Sequence, residues 1–136
     1  LFLFPVVVAG APDWERPAAP ESATLPAALV DAVREEVPEG AIVFSDPRTS
    51  FALAAYAPVY VVVAPPGHVA DTEDNRPYER ARDARRFLRT GDLSIPASYG
   101  AEYLLANRKL SDRSFDLPVL YEDERYTLYR LPAPST

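Results

Sequence analysis

His68 is the only histidine in the chain, and with Asp46 it forms the pair of residue types best suited to chemistry. An imidazole oriented by a carboxylate can act as a general base near neutral pH. The run Asp46-Pro47-Arg48-Thr49-Ser50 offers a second chemistry. Asp-Pro is a common helix opening, with the carboxylate as N-cap and the proline in the first turn. The free N–H groups of such a start, the guanidinium of Arg48 and the hydroxyl of Ser50 could together hold an anion or a sugar. Each feature also has a plainer structural reading. The Asp-Pro pair caps a helix, Arg48 is a surface residue, and His68, after Pro65-Pro66-Gly67, is a loop residue bonded to backbone. No Gly-x-Ser-x-Gly nucleophile elbow is present, and a histidine with a distant aspartate does not define a nucleophile. The expectation is a binding site contacted by Asp46, Arg48, Ser50 and His68, with no catalytic residue in this chain.

Metal and cofactor chemistry find little support. With one histidine and no cysteine, the best oxygen cluster is Asp71, Glu73 and Asp74, which lacks the central glycine of a calcium-binding loop. Five glycines in all cannot assemble a phosphate-binding or dinucleotide fingerprint. No metal and no cofactor are expected.

The flanking apolar runs decide where the candidate residues would lie. Residues 41–44 and 59–64 are short, β-branched and bounded by Gly or Pro, as buried strands are, and residues 48–56 between them read as a helix. A parallel strand–helix–strand unit places Asp46 and His68 at the carboxyl edge of a sheet, where open α/β sheets bind ligands. Upstream, residues 25–37 form an amphipathic helix with Thr24 as N-cap and Pro26 in the first turn. Downstream, residues 77–89 form a second helix with an apolar stripe of Tyr78, Ala81, Ala84, Phe87 and Leu88. Its arginines, Arg80, Arg82, Arg85, Arg86 and Arg89, are interleaved with Glu79 and Asp83. A solvated, partly paired face is the reading, rather than a phosphate-binding patch. Residues 93–99 are a helical turn, 101–106 a third strand, and 107–116 a charged loop. Residues 118–121 and 125–131 flank Glu122-Asp123-Glu124 as a hairpin. The expected fold is α/β, a three-layer Rossmann-like domain over residues 25–132 with a mostly parallel sheet and an antiparallel C-terminal hairpin. Residues 133–136 are a tail.

A length of 136 residues allows one domain with a single sizeable core. The net charge of −6 makes nucleic acid and anionic lipid poor partners for the domain as a whole. The absence of methionine makes the chain read as a piece of a longer protein. Residues 1–8 are apolar but far short of the ~20 needed to span a bilayer. They read as a strand or as the end of a membrane helix that begins upstream. A proline-rich linker carrying Pro12, Pro17 and Pro20 follows, with Trp14 as an anchor onto the body.

Four stretches in combination carry a family resemblance: residues 43–55 with Asp46-Pro47, 60–68 with Pro66-Gly67-His68, 99–107 with Tyr99-Gly100-Ala101-Glu102-Tyr103, and the hairpin 121–131. Over residues 25–131 the chain resembles the C-terminal soluble domain of bacterial membrane glycosyltransferases of the GT-C type, the mannosyltransferase-like enzymes that use polyprenyl-phosphate sugars. The resemblance implies an extracytoplasmic domain attached to membrane helices of the same polypeptide. It also implies a catalytic carboxylate that lies in the membrane part and is absent here. The loops at Asp46-Pro47 and Pro66-Gly67-His68 would then help close a cleft for the glycan acceptor or the lipid-linked sugar.

Overall fold

β1 (Ile42–Phe44) is an interior strand of the sheet, with Val43 and Phe44 buried, in the computed structural model of the chain, which describes residues 25–68 and 70–133. Alternation along the strand sends Val43 to one face and Phe44 to the other, and a separate apolar core forms on each. Asp46 then caps α2 (Pro47–Tyr56), which returns over the Val43 face through Ala52 and Leu53. β2 (Tyr60–Val61) lies parallel beside β1. After a one-turn 3-10 helix at Pro66–His68, α3 (Pro77–Thr90) packs Ala84 and Phe87 on the Phe44 face. The Phe87 ring meets Phe44 edge-on at 5.3 Å and stacks on Phe115 at 5.7 Å. The short α4 (Ser94–Ser98) adds Ile95 to the same core.

The chain re-enters the sheet on the other side of β1 as β3 (Tyr103–Asn107), again parallel to it. β4 (Val119–Glu122) and β5 (Tyr126–Arg130) form the terminal hairpin, and the strand order is β2-β1-β3-β5-β4. α1 (Ala27–Glu36) buries Leu29, Val30 and Val33 in the Val43 core. The result among the described residues is an α/β domain, with helices on both faces of a five-stranded mixed sheet.

The sheet is not mostly parallel, contrary to the sequence expectation. The parallel registers of β1 with β2 and β3 are short, while β3 pairs antiparallel with β5 along its full length. Proline explains the difference, because it has no N–H to give a ladder. Pro58 stands just before β2 and cannot extend it backwards, and the strand expected over residues 59–64 pairs only at Tyr60–Val61. No proline interrupts β3 or β5. Other boundaries move by a residue or two. Pro26 stands outside α1 as its N-cap residue, with no side-chain cap, and β3 runs one residue beyond the expected end to include Asn107. The expectations for residues 1–24, including the Trp14 anchor and the Thr24 cap, and for residues 134–136 lie outside the described residues.

Gly91 ends α3 in the left-handed region at φ +70°, and its N–H donates to the Phe87 carbonyl at 2.7 Å. Arg113 reaches back to donate from Nη2 to the Arg89 carbonyl at 3.0 Å, and its side chain fills the space a Cβ on Gly91 would need. Gly91→Ala should therefore destabilise the domain by about 1–2 kcal/mol. Urea unfolding should show a lowered midpoint at constant slope. An unchanged midpoint would rule out this account of the helix end.

Candidate functional site

The chain leaves β1 for β2 on one side and later returns past β1 to β3 on the other. Where a parallel sheet reverses direction in this way, the segments leaving the two adjacent carboxyl ends diverge and open a crevice. Asp46 leaves β1 at that point and Asn107 ends β3 beside it. A cavity of about 360 Å³ lies there, lined by Asp46, Arg48, Thr49, Asn107, Lys109 and Arg125. That volume is at the small end of ligand-sized pockets.

Asp46 is shaped by its cap. Oδ1 accepts the Thr49 N–H at 3.0 Å, which satisfies one free donor of α2. The residue is only 7% exposed, and its other oxygen, Oδ2, has no hydrogen-bond partner among the described residues. A buried polar atom without a partner is uncommon and asks for an explanation. Asn107 is held from two directions. Nδ2 donates to the Thr49 hydroxyl at 3.4 Å, and Oδ1 accepts the Lys109 N–H at 3.0 Å. On the strand side, the Ser45 hydroxyl donates to the Leu105 carbonyl at 2.7 Å and ties the end of β1 to β3.

Arg125 comes from the hairpin turn. Asp123 Oδ1 accepts the N–H of Arg125 at 2.7 Å and that of Tyr126 at 2.6 Å, while its Oδ2 accepts the Tyr121 hydroxyl at 2.6 Å. The turn thus delivers the Arg125 guanidinium over the Tyr126 ring, 5.3 Å from its centroid, with Nε buried and unpartnered. Tyr126 is fully buried beneath this wall. Burial pushes its hydroxyl pKa up, Arg125 pulls against that, and the Asp46 and Asp123 carboxylates add to it. The hydroxyl is near enough to Thr49 to feel it, without a well-formed hydrogen bond to any described group. Arg108 braces the hairpin from the strand side, donating to the Thr127 hydroxyl at 3.2 Å and pairing with Glu122.

Of the four residues expected as contacts, the structure brings Asp46 and Arg48 into the crevice. Ser50, one turn further along α2, is completely buried and its hydroxyl has no described partner. It lies inside the domain rather than on the crevice surface. The backbone of His68 closes the one-turn helix after β2, the strand on the far side of β1 from β3. Its side chain lies outside what the structure describes. Sequence reasoning missed Asn107, Lys109 and Arg125. The first two were read as the start of a charged loop and the third as a hairpin residue. A polar side chain at the end of the strand next to β1 is the signal that could have found Asn107, but it requires knowing that β3 is that neighbour.

The crevice combines one carboxylate oxygen that can accept with several cationic groups that can donate. That is a binding chemistry. Among the described residues no three His, Cys, Asp or Glu side chains converge as a metal site would need. Among the described residues no helix is long and apolar enough to cross a membrane. No protein-family model, no curated protein and no solved structure matches the chain.

The hairpin turn that presents Arg125 has a pH signature. The hydrogen bond to Asp123, with burial and the Asp123 charge adding to it, pushes Tyr121 from its ordinary 10.0 up to about 12. Because the folded value is raised, the contribution to stability is complete below the ordinary value and is lost as pH rises through about 12. Burial works against the Asp123 charge. The donors Tyr121, Tyr126 N–H and Arg125 N–H outweigh it and hold the carboxyl below its usual range. That contribution is present above the usual carboxylate range and is lost as pH falls. In an alkaline absorbance titration Tyr121 should ionise well after the exposed tyrosines, and Asp123→Asn should bring it back towards them. A Tyr121 that titrates with the exposed tyrosines in the parent would refute the turn geometry.

Proposed function

We propose that this domain is a non-catalytic recognition module which takes a small sugar or sugar phosphate in the crevice between β1 and β3. We further propose that it serves as the extracytoplasmic C-terminal domain of a membrane glycosyltransferase, helping it recognise the glycan acceptor or the polyprenyl-phosphate sugar. One observation carries the binding part of the reading. The buried Asp46 Oδ2 has no described partner and lines a cavity of about 360 Å³ that Arg48, Lys109 and Arg125 also line. A hydroxyl of a sugar would satisfy the carboxylate oxygen, and ring or phosphate oxygens would accept from the cations. A free anion alone would suit the cations but meet Asp46 as a like charge.

The Rossmann-like reading of the fold rests on the β2-β1-β3 core with helices on both faces, whose switch point is this crevice. The membrane parent rests on the resemblance of residues 25–131, and its membrane helices would be another part of the same polypeptide. The alternative is a stand-alone binding module for the same ligands. It is favoured by a crevice whose described lining residues all come from residues 46–125. A set of apolar spans encoded upstream of Leu1 would decide for the first, and their absence for the second.

Ligand-observed NMR with a panel of monosaccharide phosphates and short glycans tests the shared claim. Asp46→Asn keeps a good helix cap but replaces the charged acceptor. It should weaken any ligand that binds the parent roughly 10-fold or more, as expected for loss of a charge-assisted hydrogen bond. Lys109→Gln should weaken the phosphorylated ligands and spare the neutral ones. Silence across the panel, or binding indifferent to Asp46→Asn, would overturn the proposal.

A further inference from the structure

α3 spends one face on the core and turns an unusually uniform face outward. Ala81, Ala84 and Phe87 are buried. Arg82, Arg85, Arg86 and Arg89 recur at the i, i+3, i+4 and i+7 spacing that collects side chains on one side of a helix, and all four are exposed. Tyr78, expected in the apolar stripe, is 56% exposed and stands one turn before Arg82 on this outer side. Arg80 does not belong to the set. It turns inward to donate to the Val62 carbonyl at 3.0 Å and the Asp74 carbonyl at 3.1 Å, and lies over the Tyr99 ring.

The acids that seemed to break up this patch engage only one of its four arginines, Arg86. Glu79, at the edge of the stripe, pairs with Arg76. Asp83 accepts the Tyr99 hydroxyl at 2.5 Å and draws in Arg86 at 3.5 Å, so it lies on the flank facing α4. Asp92, beyond the helix end, is engaged by the N–H and hydroxyl of Ser94. Arg82, Arg85 and Arg89 have no side-chain hydrogen bond or ion pair with the described residues. Arg113 brings a further exposed guanidinium to the C-terminal end of the row through its bond to the Arg89 carbonyl. A chain of net charge −6 thus concentrates along one helix positive charge that is mostly unpaired among the described residues.

We infer that this arginine face docks the domain onto the surface of an anionic bilayer. The face runs the length of a helix of about 20 Å. Its single exposed aromatic joins an apolar body to a polar tip, the composition that suits the headgroup layer, and arginine stems can lie along that layer while their heads meet phosphate. The negative remainder of the molecule is repelled by the same surface, so attraction through α3 also sets the orientation. This inference does not depend on the crevice binding anything.

Vesicle flotation of the complete chain tests it. The vesicles are phosphatidylcholine alone, and phosphatidylcholine with about 30% phosphatidylglycerol. The neutral vesicles report whatever the apolar residues 1–8 contribute. Binding should be stronger to the anionic vesicles and should fall as salt is raised. At about fivefold per arginine, Arg82→Gln with Arg85→Gln should lower anionic-vesicle partition roughly 25-fold and leave the neutral-vesicle value unchanged. Arg82→Lys with Arg85→Lys, which keeps the charge, should retain binding, as should Arg130→Gln on β5. Equal binding to both vesicles, no loss in the glutamine variant, or loss in the lysine variant would each overturn the inference. A short DNA duplex that binds with the same arginine dependence at the same concentrations would also overturn it, in favour of a nucleic-acid partner.

Discussion

The burial of β1 on both faces is the constraint on which the rest of the structure depends. Three residues long, the strand still separates two cores, with Val43 and Phe44 almost inaccessible on opposite sides. A strand so short cannot hold its neighbours by ladder hydrogen bonds alone. Helix packing on each face and the Ser45 hydroxyl bond to Leu105 supply the remainder. Because neighbours sit on both sides of β1, its carboxyl end opens between diverging segments instead of under a single crossover. The crevice follows from the strand order, before any side chain is chosen.

The choice of side chains then fits a division of labour within one carboxylate. Oδ1 of Asp46 caps α2, a role that is typically worth about 1 kcal/mol to a helix start. Oδ2 is buried and gains no such bond from the described residues. Arg125 Nε shows the same imbalance on the facing wall. Two unsatisfied groups of opposite polarity near one cavity are expensive for a scaffold and useful for a site, because a ligand with both a donor and an acceptor relieves them together. The remaining wall is rigid. Thr49, Asn107 and the Asp123 turn leave little freedom for rearrangement on binding.

Much of this architecture was legible in the chain, and the parts that were not share a cause. Apolar runs, Asp-Pro at a helix start and Glu-Asp-Glu between alternating strands are local signals, and the elements they announce are present. The balance of parallel and antiparallel pairing was not legible. It depends on which partner a proline-limited strand loses, and that is a property of the assembled sheet. Asp46 and Arg48 were found because the helix start that carries them is itself a local motif. Asn107, Lys109 and Arg125 reach the crevice only through the pairing of β3 with β1 and the turn between β4 and β5. Ser50, at the fourth position of α2, lies on the buried side of that helix rather than at its open end.

Charge shows the same limit from another side. A net charge is a scalar, and −6 correctly says that the whole molecule repels anions at a distance. At contact, what matters is which charges a flat partner meets first, within a screening length of roughly 8–10 Å. In sequence, Glu79 and Asp83 alternate with the arginines of α3 and seem to cancel them. In three dimensions the helix twist carries these acids off the outermost line, and Arg76 and Tyr99 occupy them there. The apolar seat of Ala84 and Phe87 on the sheet fixes the rotation of the helix, and so decides which charges point outward. Core packing, rather than composition, therefore sets the electrostatic character of this surface.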